Sequence, residues 1–309
     1  MPRYATIDVG TNSVLLLVAD RLPDGRFQAV RERAEITRLG RGVDKSRRLS
    51  PEGLEATLQV LSDFASEARS LGAEAIAVSA TSAARDAENG AEFLNGARER
   101  AGVTVDIISG ELEAQLSFTS AHADFGRESS APLVVIDIGG GSTEFIYGDA
   151  QGRMAFRHSF DVGAVRMTER YVHSDPMSAE DRARLESHLR ETFSQLPPCP
   201  KDAMLVGIAG TVTTLYTVRY AIDPYDAARV QGGTLTLATL EALANEMCRL
   251  PLAERQKLPG LQPKRADVIP AGALILLESL RALGLERCRV SDRGLRWGLL
   301  AYRFGASQS

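Results

Sequence analysis

Residues 133–145 read LVVIDIGGGSTEF, which places Asp137, Gly139, Gly140, Gly141, Ser142, Thr143 and Glu144 within eight positions. Glycines at a turn let backbone N–H groups approach an anion without Cβ obstruction, and Asp137 sits at the strand's end beside them. Glu144 follows within the same stretch, close to whatever the glycines bind. Together these residue types point to phosphate binding. Three glycines and a strand-end acid seldom coincide in a purely structural hairpin.

The elements around this stretch set its class. Val134, Val135 and Ile136 read as a strand buried on both faces. Dinucleotide-binding and P-loop motifs run from the glycine turn straight into a helix, whereas STEFIY at 142–147 reads as a second strand. The motif is therefore a hairpin with a phosphate-sized tip and Glu144 just inside the second strand.

A second copy lies near the start of the chain. IDVGTNS at 7–13 matches IDIGGGS at 136–142 with an offset of 129 residues, and each is followed by a turn and a third strand. Duplicated domains are expected, divided within FGRESSAP at 125–132 into 1–126 and 127–309, with the final helix of about 295–309 able to return to the first domain. Between the repeats, RLGRGVDKSRR at 38–48 is a basic loop, with a solvated face and an anion-facing role equally expected. Ser50 and Pro51 start a helix as N-cap and first residue. Strands follow at 75–79 and 104–108, helices at 91–100 and from Glu113 to about Ala123. In the second half, Ser178 caps a helix running to about Gln195. Strand 204–208 enters a third glycine turn, Ala209-Gly210-Thr211, with a helix from about Thr213. Further helices near 239–248 and 266–283 precede a strand at 288–291.

Composition narrows the class. The chain has 309 residues, 44% of them hydrophobic, enough for two cores, and a formal net charge of −4 that argues against a surface coating nucleic acid. Three cysteines spaced far apart suggest neither a disulfide framework nor a zinc cluster. His122, His158, His173 and His188 show no metal-ligand spacing and suggest no nucleophilic triad. No leader or membrane-spanning run is read, so a cytoplasmic protein is expected.

The halves and their glycine turns resemble the actin, Hsp70 and sugar kinase superfamily, whose α/β fold duplicates a ribonuclease H-like domain around an interdomain cleft. Within it the chain resembles the short two-domain form of the exopolyphosphatase/guanosine pentaphosphate phosphohydrolase family. The resembling stretches, in family order, are IDVGTNS, RLGRGV, LSPEG, SATSAARDAENG, ISGELEA, IDIGGGSTE, VGAVRMTERY, AGTVTTL and DRGLRWGLL.

The resemblance implies catalytic carboxylates at Glu113 and Glu144, brought to a common point by cleft closure, and a divalent cation such as Mg2+ on Asp137 and Glu144. It implies phosphate contacts from Asp8, Gly10, Thr11, Asn12, Ser13 and Arg85, from Gly139, Gly140, Gly141, Ser142 and Thr143, and from Gly210 and Thr211. Read alone, Glu113 is an acid in a helix's first turn and Arg85 a surface residue. The implied activity is removal of terminal phosphate from linear polyphosphate, with hydrolysis of guanosine pentaphosphate (pppGpp) as the near alternative. An ATP-dependent phosphotransferase and a non-enzymatic phosphate-ligand sensor are the more distant ones. The implied partners are polyphosphate or guanosine pentaphosphate, with room for a homodimer, and neither a membrane nor a nucleic-acid polymer. Lys264 and Arg265 join the basic loop as expected guides for a polyanion. Leu112, Ala209 and Trp297 depart from the family pattern, which more often has Glu, Ser and Glu there.

Overall fold

The computed structural model describes residues 1–126 and 131–305. The chain divides into two compact units, one formed by Met1–Leu116 with the segment from Leu295 onward, the other by Ser117–Gly294. The division falls inside the helix Gly110–Phe125, ten residues ahead of the boundary read from the sequence. Residues 127–130 of the expected linker, and the last four of the expected final helix, lie outside the described residues.

The first unit is built on a five-stranded sheet ordered β3-β2-β1-β4-β5, with β1 at Arg3–Val9, β2 at Ser13–Arg21, β3 at Phe27–Ile36, β4 at Ala75–Ala80 and β5 at Val105–Ile107. β1, β2 and β3 form the expected antiparallel meander, and β4 and β5 add in parallel. The helix Pro51–Ser70 covers one face: Leu58, Leu61, Phe64, Ala65 and Ala68 recur at helical spacing and are buried with Ile7, Leu16 and Val18 of the sheet. Ser50 caps it as read, its Oγ accepting from the Gly53 amide at 3.1 Å. The C-terminal helix Leu295–Phe304 also belongs to this unit. Leu116 lies so close that a Cβ at Gly298 would fall on its carbonyl, and Thr6 Oγ1 donates to the Arg296 carbonyl at 2.9 Å.

The second unit repeats the plan. Its six-stranded sheet runs β10-β11-β9-β6-β7-β8, with β6 at Leu133–Ile138, β7 at Thr143–Gly148, β8 at Met154–Phe160, β9 at Met204–Ile208, β10 at Thr234–Thr236 and β11 at Arg287–Val290. Read from β8 to β11 this is the order of the first sheet, with β10 as an added antiparallel edge strand. β10 escapes sequence reading because three residues carry no period. The duplicated α/β fold is thus present strand for strand. The apolar helix Ile269–Leu283 fills the core, with Leu274, Ile275, Leu276 and Leu277 wholly buried among Val134, Ile136, Leu185 and Leu189.

Three expectations shift at helix starts. The helix expected from Glu113 begins at Gly110, so Glu113 sits in its first turn, and the helix expected from Thr213 begins at Ala209. The basic loop contains a helical turn, Val43–Ser46. In each case the backbone turns before the apolar period becomes visible in the sequence.

Candidate active site

In the second unit the chemistry-bearing residues gather at one end of the sheet. β6 pairs antiparallel with β7 so that Asp137 opposes Glu144, and parallel with β9 so that Asp137 is level with Ile208. Directly opposed residues of an antiparallel ladder project from the same face with neighbouring Cβ atoms. Asp137 and Glu144 are therefore a carboxylate pair, and both are buried. Burial pushes the Asp137 carboxyl up to about 6, opposed by the Ser117 hydroxyl that donates to its Oδ2 at 2.7 Å. Ser159, opposite Glu144 on β8, donates to Glu144 Oε1 at 2.6 Å.

Beyond the pair lies the hairpin tip. It is closed by the Gly139 amide on the Ser142 carbonyl at 3.0 Å, and held from behind by the helix Ala164–Tyr171. The Ala164 amide donates to Gly139 O (2.9 Å), Val165 and Arg166 amides donate to Gly140 O (2.8 and 3.1 Å), and Arg166 Nε donates to Gly141 O (2.7 Å). In a trans peptide the N–H points opposite to the carbonyl. Three carbonyls turned toward the helix thus turn the amides of Gly140, Gly141 and Ser142 away from it, the arrangement that binds an anion. The helix can come this close only because residue 163 lacks a side chain: a Cβ there would lie 2.5 Å from the Gly141 carbonyl carbon. Thr143 Oγ1 donates to the Val162 carbonyl at 2.5 Å, which makes it a brace of the tip.

The third turn adjoins this tip through the β6–β9 pairing. Ile208, level with Asp137, is followed by Ala209 with φ of +68°, a left-handed conformation that costs a non-glycine residue on the order of 1 to 3 kcal/mol. Gly210 and Thr211 then open the helix Ala209–Arg219. A Cβ at Gly210 would meet the Arg265 guanidinium, its Cζ 2.6 Å away, so Arg265 lies against this turn.

The first unit holds a separate cluster. Its tip is closed in the same way, by the Gly10 amide on the Ser13 carbonyl at 2.9 Å. Here the basic loop does what the helix does in the second unit: Gly40 N–H donates to Thr11 O (2.8 Å), and Thr37 and Arg38 amides donate to Asn12 O (3.1 and 3.0 Å). Asp8 is level with Ser79 of β4, and Thr11 Oγ1 shares a 2.8 Å hydrogen bond with Ser82. Asp8, Thr11 and Asn12 are all buried. Arg85 Nη1 donates to the Ile108 carbonyl at 2.9 Å and stands 3.4 Å from Glu113 Oε2, so the predicted arginine and glutamate are partners.

Two of the three departures from the family pattern lie in the first unit. Leu112 packs with Ile108, Leu116, Leu295 and Leu299, and Trp297 packs with Leu17, Ala19 and Leu300. Four residues that position the site were missed: Ser117, Ser159, Gly163 and Arg166. The last two stand in VGAVRMTERY, where a glycine before a helix start was the available signal. Nothing in the sequence marks the two serines. Among the described residues no group of three or more His, Cys, Asp or Glu is arranged to hold a metal.

The model of the Ppx/GppA phosphatase family matches residues 18–304. Exopolyphosphatase 2 of Mycobacterium tuberculosis is 35% identical over 97% of this chain and 98% of its own length. Exopolyphosphatase 1 of Mycobacterium bovis is 31% identical over 96% of this chain and 87% of its own. The crystal structure of the Aquifex aeolicus member of the Ppx/GppA family superposes with a TM-score of 0.81 at 32% identity, covering 97% of each chain.

Proposed function

Because the chain belongs to the Ppx/GppA phosphatase family, we propose that it is an exopolyphosphatase, hydrolysing the terminal phosphoanhydride of linear inorganic polyphosphate and releasing orthophosphate. The observation that carries this reading is the pairing of Asp137 with Glu144 directly below a glycine tip whose amides are turned outward. Phosphoryl transfer to water needs neutralisation of the transferred group and an oriented water, with little covalent chemistry from the protein. The tip amides of Gly140, Gly141 and Ser142 supply fixed donors, and Glu144 supplies a carboxylate that can orient or deprotonate the water. Glu113, anchored beside Arg85, is the second carboxylate in the same role.

The donor chemistry fits a hard divalent cation. Mg2+ takes one or two carboxylates and fills its remaining positions with water and substrate phosphate, which suits a two-carboxylate site better than a closed cage. In this reading Asp137 and Glu144 hold Mg2+, which when bound neutralises phosphoryl charge. Among the described residues no helix is long and apolar enough to cross a membrane, and the three cysteines are free, in keeping with action in the cytoplasm.

The test is phosphate release with Mg2+ from polyphosphate, pppGpp and ATP in parallel. The proposal expects release from polyphosphate without any acceptor. Release from pppGpp in preference would move the activity to the guanosine pentaphosphate side of the family. Turnover of ATP alone, and only with an acceptor, would make it a kinase.

A further inference from the structure

Two serines bracket the carboxylate pair. Ser117, from the helix Gly110–Phe125, is wholly buried and donates to Asp137 Oδ2; Ser159, from the edge strand β8, donates to Glu144 Oε1. Ser159, Glu144 and Asp137 occupy paired positions on three adjacent strands, so the four groups run hydroxyl, carboxylate, carboxylate, hydroxyl. The direction of the Ser117 bond is informative. A buried helical hydroxyl ordinarily returns its proton to the carbonyl one turn back, as Ser279 does to Ile275 O at 2.7 Å and Thr168 to Ala164 O at 2.7 Å. Ser117 gives its proton to Asp137 instead.

We propose that Ser117 and Ser159 are positioning residues of the reaction: each holds one oxygen of its carboxylate and so sets the orientation in which that carboxylate meets cation and water. This rests on the exopolyphosphatase reading for the reaction, and on geometry alone for the carboxylates. A hydroxyl donor on one oxygen orients a metal-binding carboxylate, as outer partners of metal ligands do. It also restrains the rotation of the carboxylate plane. The two serines act from different elements, so they hold the pair independently.

The experiment compares Ser159→Ala with Ser159→Thr, and Ser117→Ala with Ser117→Thr, in the full chain. Three quantities are read: Mg2+ affinity by calorimetric titration without substrate, kcat and KM on polyphosphate, and Tm. Loss of a group that orients a metal ligand typically costs about 10- to 100-fold in affinity or activity. The alanine variants are expected to lose about that much in Mg2+ affinity and in kcat, with KM for polyphosphate changed less than about threefold, and the threonine variants to recover most of it. Ser159 lies partly exposed on an edge strand, so its pair of variants decides the matter if the buried Ser117 variants do not fold. Unchanged Mg2+ affinity and kcat in Ser159→Ala overturn the proposal, as does a threonine variant no better than alanine. If the wild-type chain releases no phosphate from polyphosphate, the functional reading fails while the Mg2+ titrations still decide the role of the serines.

Discussion

Leu15 stands in the first hairpin where Glu144 stands in the second: Asp8 opposes Leu15 across β1 and β2, and Asp137 opposes Glu144 across β6 and β7. The tips are otherwise closed alike, by the Gly10 amide on Ser13 O and the Gly139 amide on Ser142 O. The glycine turn is therefore present in both units and the carboxylate pair across its hairpin in only one. The second unit has two opposed carboxylates below its tip; the first has Asp8 opposite Leu15 and, on a separate element, Glu113.

That asymmetry makes the first prediction. Glu144→Gln keeps size and the capacity to accept from Ser159 but removes the charge and the basicity, and Glu113→Gln does the same beside Arg85. Each is expected to lower turnover at least about a hundredfold, the lower range for loss of a general base, with the fold intact by circular dichroism. Near-normal phosphate release from either variant would remove that residue from the reaction.

Gly163 tests the tip itself. Added at this position, a Cβ would collide with the Gly140 carbonyl and lie 2.5 Å from the Gly141 carbonyl carbon, both backbone, so relief requires the turn or the helix to move. Gly163→Ala is expected to cost about 1 to 3 kcal/mol of stability, the range for overpacking, and to raise KM more than it lowers kcat because the tip amides proposed to meet phosphate are displaced. Steady-state kinetics with a thermal melt checks this. Unaltered KM with a lowered Tm would make the glycine a packing residue only.

How legible the protein is from its sequence follows from which contacts are local. The hairpins, the repeat and the Ser50 and Ser178 caps are set by residues within a few positions of one another, and period and turn chemistry reveal them. Ser117 and Ser159 became site residues through strand register and a helix that arrives from elsewhere, 20 positions from Asp137 in one case and 15 from Glu144 in the other. Arg166 likewise reads as an ordinary helix arginine until its guanidinium is found on the Gly141 carbonyl. The role of the basic loop was half visible. Its charge suggested an anion, but its backbone hydrogen bonds to Thr11 and Asn12 carry no sequence signature.

Asp181 gives a pH dependence that is independent of catalysis. Burial pushes its carboxyl up, but the His173 amide, the Arg184 guanidinium and the Ser174 and Ser178 hydroxyls outweigh this and hold it at about 2, against an ordinary 3.8. A folded value below the unfolded one means stability present above about pH 4 and lost as pH falls toward 2. Asp181→Asn is expected to lower Tm at pH 7, and the gap to wild type should narrow between pH 4 and pH 2. A gap that stays constant over that range would show that the carboxylate's charge contributes nothing there.

The basic loop carries the prediction on substrate length. Its backbone amides at Thr37, Arg38 and Gly40 hold the first tip, while Arg41, Lys45, Arg47 and Arg48 extend from the same segment as exposed cations. A monomeric or short anion engages the tip and leaves these cations to solvent; a long polyphosphate can lie along several of them at once. Such exposed charges act within about a Debye length, roughly 8 Å at physiological salt, so their contribution should grow with the number of phosphates near the loop and fall with ionic strength. Replacing Arg41, Lys45 and Arg47 together by glutamine is expected to raise KM for long chains several-fold more than for tripolyphosphate, with kcat little changed and the difference shrinking at high salt. Equal effects on all lengths would assign the loop to holding the Thr11 and Asn12 carbonyls and nothing more.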